Sequence, residues 1–260
     1  MTVGDGRISH VQDLLELIEK SKLGERRDAH VRLWFRGQTK AAWELVPGVY
    51  RSTFPERDEE KRLRIERHLN QDFRVQSAGL TTGGRDDCDL YFLQQHYRLP
   101  TRLLDWTTSP LAALYFAVSK DQNGDGTLYM MDAYRLALCQ RAEKSFQGIA
   151  TSRNAIFCKA LRAIVAWENP KLCFPQFILP VRPDQFDPRM ALQKSCFTFH
   201  TPGHDRLTKA TNDSLLSFFI PRAAKNNILR EPFSLGIDAF AIYGDLESLS
   251  ERLKYAYKVG

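Results

Sequence analysis

Apolar residues at Val11, Leu14, Leu15, Ile18 and Leu23 recur at helical spacing behind Ser9, so the chain opens on an amphipathic helix with Ser9 as its expected cap. The run Val31 to Phe35 is short and β-rich, and "WELVPGVYR" reads as a second extended piece that ends in a turn at Pro47 and Gly48. From Glu56 to about Ser77 the pattern is a long charged amphipathic helix. Asp87 to Tyr97 is another, stopped by Leu99 and Pro100.

The centre alternates sharply. Thr101 to Asp105 reads as a short strand, followed by a helix with Ser109 at its cap and Pro110 at its first position, where a missing N–H costs little. Leu111 to Val118 has no polar face, which predicts a buried helix. The turn "DQNGDG" then leads into the strand "TLYMMD". Beyond Ala133 the spacing predicts one or two helices to about Trp167 and the strands "QFILPV", "CFTFH" and "LLSFFIP". A helix near Arg222 to Glu231, a strand "AFAIY" and a last helix from Leu246 complete the pattern. This is an α+β alternation, and with no repeat, low-complexity tract or Gly/Ser linker it predicts one domain over residues 1–260.

Composition narrows the picture slightly. Apolar content of 43% over 260 residues supports a sizeable core, and no apolar run is long enough to span a bilayer. The start lacks the pattern of a secretory leader, which places the expected location in the cytoplasm. Lys and Arg total 37 against 31 Asp and Glu, a net +6 that suits a phosphate-bearing ligand or a nucleic acid equally. The five cysteines are scattered and never form a C-x-x-C pair, as expected of reduced core thiols. Asp121, Asn123, Asp125 and Gly126 match the opening of a calcium loop, with Asp132 at its final position. The residues after Gly126 are strand-like where the second helix should be, and no metal site is expected.

Familiar catalytic patterns are absent. There is no G-x-S-x-G elbow and no P-loop, and "GDGRIS" does not follow a strand as a dinucleotide-binding glycine motif must. Polar density concentrates instead in "FRGQ" and in "QQHYRLPTRLLDWTTSP", where charged groups inside apolar sequence must be paired or face a cleft. An ion pair between Arg102 and Asp105 and a ligand site fit these residue types equally well.

The two stretches "LWFRGQTKAAWELVPGVYR" and "YFLQQHYRLPTRLLDWTTSPLAALYFAV" closely resemble the FRG domain family, named for its aromatic-Arg-Gly motif and found in bacterial and phage settings. The resemblance extends to the Asp245-Leu246 segment and leaves residues 1 to about 28 as an N-terminal helical extension. A more distant resemblance is to the ADP-ribosyltransferases, which carry an aromatic-Arg-Gly strand end, a Ser/Thr motif before an A-x-x-F-A helix, and a Glu or Gln before a later strand. Here these look like Phe35-Arg36-Gly37, Trp106-Thr107-Thr108-Ser109 with "PLAALYFA" behind it, and Gln193 before Cys196 to His200. Asp105 and Glu231 are the acidic alternatives for the third element.

That resemblance implies a core of two small mixed or antiparallel sheets with surrounding helices, no metal, and NAD as substrate for mono-ADP-ribosyl transfer or NAD hydrolysis. It places Arg36, Gln193 and Asp105 in catalytic roles and Arg36, Gly37, His96, Arg102, Trp106, Thr107, Ser109 and Arg189 around the dinucleotide. Gly37 would let the ligand approach the backbone. A macromolecular acceptor, protein or nucleic acid, and an antitoxin or other partner protein belong to the same expectation, that of a toxin or phage-defence effector away from the membrane. The alternatives are a module that binds nucleotide or nucleic acid without catalysis, and a protein interaction domain. With an amide at Gln193, the carboxylate that would stabilise an oxocarbenium-like centre must come from elsewhere.

Overall fold

The computed structural model describes residues 6–21, 32–80, 85–140, 148–166, 176–185, 187–209 and 213–259. Its strands are β1 Gly6–Arg7, β2 Leu33–Gln38, β3 Leu103–Thr107, β4 Gly126–Asp132, β5 Ala150–Thr151, β6 Ile178–Arg182, β7 Ser195–His200 and β8 Leu216–Ile220. The helices are α1 Val11–Lys20, α2 Glu59–Ser77, α3 Asp87–His96, α4 Pro110–Val118, α5 Ala133–Gln140, α6 Ala155–Val165, α7 Pro188–Leu192, α8 Lys225–Ser234, α9 Ala239–Tyr243 and α10 Leu246–Tyr257. None of the described helices is long and apolar enough to cross a membrane.

All eight strands join one mixed sheet in the order β1-β8-β4-β2-β3-β7-β6-β5, which corrects the expectation of two separate sheets. The join is slender. β2 pairs with β4 along its whole length and β3 with β7 along its own, but β2 and β3 meet at one register pair, Phe35 with Thr107. Two half-sheets are thus held together by a single backbone bridge and diverge on either side of it.

Directly paired residues share a face of a sheet, so the clusters can be assigned to sides. On one face α1, α4 and α8 pack Leu14, Ala113, Ala117 and Ile228 against Phe35, Met130 and Phe218. On the same face of the other half, α2, α3 and α6 pack Leu63, Phe92 and Phe157 against Leu103, Phe197 and Phe199. The opposite face is covered continuously across the bridge by Trp34, Leu104, Trp106, Met131 and Leu136. The first face is therefore split into two packed blocks where the half-sheets diverge.

Local chemistry accounts for the helix ends. The N-cap of α1 is His10 instead of the expected Ser9, because the Asp13 carboxylate accepts the N–H groups of both residues. Ser109 caps α4 with Pro110 in its first turn, and the apolar α4 is buried as its composition requires. "AFAIY" is a helix, not a strand: Asp238 Oδ1 accepts the Ala241 N–H, and Gly244 at φ 69° closes the other end. "ELVPGVY" forms no strand either; Gly48–Tyr50 is a short 3-10 turn. Asp132 is engaged by Arg32 at 2.5 Å and so is spent on an ion pair, not on a calcium loop. Cys88 and Cys158 place their thiols 2.9 Å apart between α3 and α6, while Cys173, Leu23 and Trp167 lie outside the described residues.

Candidate functional site

Where the half-sheets part, a cavity of about 1010 Å³ opens around the bridge between β2 and β3. Arg36 stands one residue beyond the bridge. In β3 the backbone polar groups of alternate residues point to opposite neighbours. His200 N–H bonds Arg102 C=O toward β7, which leaves the Asp105 carbonyl facing the gap toward β2. Arg36 Nη1 donates to that carbonyl at 2.6 Å and lies 3.5 Å from Asp105 Oδ2. A side chain thus supplies the donor that a continuing ladder would have given. The Arg36 side chain is 15% exposed, and its buried Nε has no hydrogen-bond partner. Burial pulls the guanidinium below its ordinary pKa, Asp105 opposes this, and Arg51 repels it.

Asp105 is the exposed member of an otherwise buried strand. Its Oδ1 accepts from Gln95 Nε2 at 2.9 Å, and Gln95 in turn accepts from the Thr101 hydroxyl. His96, next on α3, lies 3.6 Å from Asp187 Oδ1, and burial pushes its imidazole below the usual value against the pull of that carboxylate. Gln193 is the C-cap of α7; its backbone carbonyl accepts from Thr107 Oγ1 at 2.6 Å, while its Nε2 is buried without a partner. Arg189, one turn earlier, stacks 4.6 Å from the Tyr243 ring centroid, and its Nε is also buried and unpartnered.

Arg36, Gly37, His96, Asp105, Trp106, Thr107, Arg189 and Gln193 all line this cavity. Some of them do so with their chemistry already engaged. The Thr107 hydroxyl is committed to Gln193 and to the Ser109 N–H, and Trp106 Nε1 donates to Thr198 Oγ1 on the packed opposite face. Gly37 has a packing reason: a Cβ there would stand 1.8 Å from Ala113 O and 2.6 Å from Ala117 N, so the glycine lets α4 lie directly on β2.

Arg102 and Ser109 fall outside the cavity lining. Ser109 serves as the cap of α4. Arg102 is fully buried and bonds Glu66 through Nε at 2.8 Å and Nη2 at 2.7 Å, Glu59 at 2.6 Å, and the Tyr50 hydroxyl. The Arg102 to Asp105 pair, one of the two readings the residue types allowed, does not form: Arg102 pairs with Glu66 and Glu59, and Arg36 with Asp105. Glu231 is remote from the cavity lining, accepting from His10 and from the Val11 N–H at the start of α1.

The structure adds residues that sequence spacing did not single out. Arg51, Arg98 and Lys120 bring the cationic side chains of the lining to five, against the carboxylates of Glu44 and Asp105. Trp43, Phe116 and Tyr243 add aromatic rings. The density of polar residues around Gln95 was a usable signal for that residue. Tyr243 carried none, because it comes from a helix far along the chain.

Residues 31–126 match the family model of the FRG domain. The matched FRG segment runs from β2 through α4 to the first residue of β4 and holds Arg36, Gln95, His96, Arg98 and Asp105. Arg189, Gln193 and Tyr243 lie beyond it. Neither a curated protein nor a solved structure matches the chain.

Proposed function

We propose that the cavity binds NAD and that the protein is an NAD-consuming enzyme of the ADP-ribosyltransferase class, acting by mono-ADP-ribosyl transfer or NAD hydrolysis. The observation that carries this reading is the convergence of three buried, unpartnered donors, Arg36 Nε, Gln193 Nε2 and Arg189 Nε, on a cavity that also holds the Asp105 carboxylate. An unsatisfied buried polar group costs about 1–3 kcal/mol, so donors left open together are matched by a ligand rich in acceptor oxygens. The cavity, about 1010 Å³, lies at the top of the roughly 300–1,000 Å³ range of small-molecule pockets, which leaves room for a ligand as large as a dinucleotide.

The chemistry follows from those groups. Arg36 offers its free donor edge to a diphosphate oxygen. Asp105, half exposed at the same point, places negative charge beside the ribose as the bond from its anomeric carbon to nicotinamide breaks and the electron pair leaves on nicotinamide. Water or an acceptor group then bonds the anomeric carbon and releases its proton to solvent. Gln193 hydrogen-bonds a hydroxyl or the nicotinamide amide but contributes no charge.

Purified protein incubated with NAD should release nicotinamide, with Arg36→Ala and Asp105→Asn lowering the rate at least about 100-fold. Absence of nicotinamide release from wild type, with water and with protein and nucleic-acid acceptors supplied, would sink the enzymatic reading. The second reading, binding without turnover, is favoured by the Gln95 and Arg36 contacts that hold Asp105 in place. It predicts saturable NAD binding with no product.

A further inference from the structure

α3 ends in a manner its sequence does not favour. Tyr97 is the C-cap, Arg98 N–H bonds Gln95 C=O at 3.0 Å, and Leu99 N–H bonds Gln94 C=O at 2.9 Å. This is the Schellman closure, whose next position takes left-handed backbone and normally a glycine. Here that position is Arg98, at φ 65°. Left-handed backbone costs a residue with a Cβ free energy, and such strain gathers where a side chain is needed.

The Arg98 side chain has no protein partner among the described residues. It lines the cavity, is exposed, and makes no hydrogen bond or ion pair among the described residues. Arg189 and Tyr243 line the same cavity as Arg98. Arg189 stands over the Tyr243 ring, 4.6 Å from its centroid, and Phe116 meets the same ring edge to face at 6.2 Å between centroids. The stacking leaves the Arg189 donor edge open, with Nε buried and unbonded. Two guanidinium groups and an aromatic ring thus stand on the wall of one cavity, a set that suits an anion carried on a planar ring system.

We propose that Arg98, Arg189 and Tyr243 form a subsite that anchors the phosphate groups of a nucleotide. The proposal rests on the nucleotide reading of the cavity but not on turnover. The site then selects phosphorylated nucleotides over nucleosides, with Arg98 supplied by the end of α3 inside the matched FRG segment and Arg189 and Tyr243 by α7 and α9 beyond it.

The test is calorimetric titration of the full chain with ADP, inorganic pyrophosphate and adenosine, for wild type, Arg98→Gly and Arg189→Gln. Each substitution should weaken ADP and pyrophosphate at least about tenfold and leave adenosine within about twofold. Wild-type ADP affinity should fall as salt rises. Arg98→Gly relieves the left-handed strain, so its Tm should equal or exceed that of wild type while phosphate binding falls. A merely structural arginine cannot give that opposition. Equal ADP affinity in wild type and Arg98→Gly, equal affinity of wild type for ADP and adenosine, or no ADP binding at about 1 mM would each overturn the proposal. If ADP binding depends on both arginines and NAD is not consumed, the subsite stands and the enzymatic reading falls.

Discussion

Gly37 gives the sharpest prediction, because two explanations of the same residue diverge. If the glycine exists to let a ligand reach the backbone, Gly37→Ala should leave the fold intact and abolish binding. The packing of α4 on β2 predicts the reverse emphasis. The added Cβ would meet Ala113 O at 1.8 Å and Ala117 N at 2.6 Å. An ordinary carbon to oxygen contact is about 3.3 Å, so α4 must retreat by roughly 1.5 Å from a face where Ala113, Leu114, Ala117 and Val118 are fully buried. Both obstructing atoms belong to the backbone and cannot rotate away. Overpacking at such a site costs about 3 kcal/mol, or roughly 6–12 °C in Tm at about 2–4 °C per kcal/mol for a chain near this size. Thermal unfolding followed by circular dichroism measures this, with urea titration as a second probe. The reasoning is refuted if Tm falls by less than about 2 °C. Rescue by Ala113→Gly would refute it too, since that change leaves the obstructing carbonyl in place.

Three further outcomes are expected. Arg102→Ala leaves the Glu66 carboxylate, itself pushed upward in pKa by burial, without its bidentate partner; urea midpoints should report a loss of about 3–5 kcal/mol, and Arg102→Met with Glu66→Leu should lose less. His200 is buried with its pKa lowered to about 3, its Nδ1 donating to His204 C=O and its Nε2 accepting from Thr198. Because the unfolded histidine takes a proton near its ordinary value while the folded one does not, stability should fall as pH drops through 6.5, by about 2 kcal/mol between pH 7 and 5. That slope should shrink in His200→Gln. Finally, hydrogen peroxide or diamide should join Cys88 to Cys158, whose sulfurs lie 2.9 Å apart, with an intact-mass loss of two hydrogens that Cys158→Ser prevents.

The helices and central strands were legible because their signals are local. Ser109 with Pro110, the apolar α4 and the β-rich "CFTFH" each declare themselves within a few residues. "AFAIY" misleads for the opposite reason: its β-rich composition outweighs the Asp238 and Gly244 stop signals on either side, although those decide the element. At the site, polar density brought Arg36, His96 and Asp105 into consideration and the resemblance to ADP-ribosyltransferases brought Gln193 and Arg189, and these do share one cavity. Pairing was not legible. Arg102 and Arg36 are equally plausible partners for Asp105 by residue type, and which of them reaches it depends on where β2 and β3 part. Nor does composition show that Arg98 closes a helix in left-handed backbone, or that Tyr243 arrives from a distant helix to stack on Arg189.

The sheet order also says how such a site can change. The matched residues supply β2, β3 and the start of β4, the middle of the sheet, whereas β7 and β8 flank them from later sequence. Arg36 and Asp105 therefore lie inside the matched segment, and the wall of Arg189, Gln193 and Tyr243 lies outside it. Substitutions at Arg189, Gln193 or Tyr243 therefore reshape one wall of the cavity without touching a residue of the matched segment.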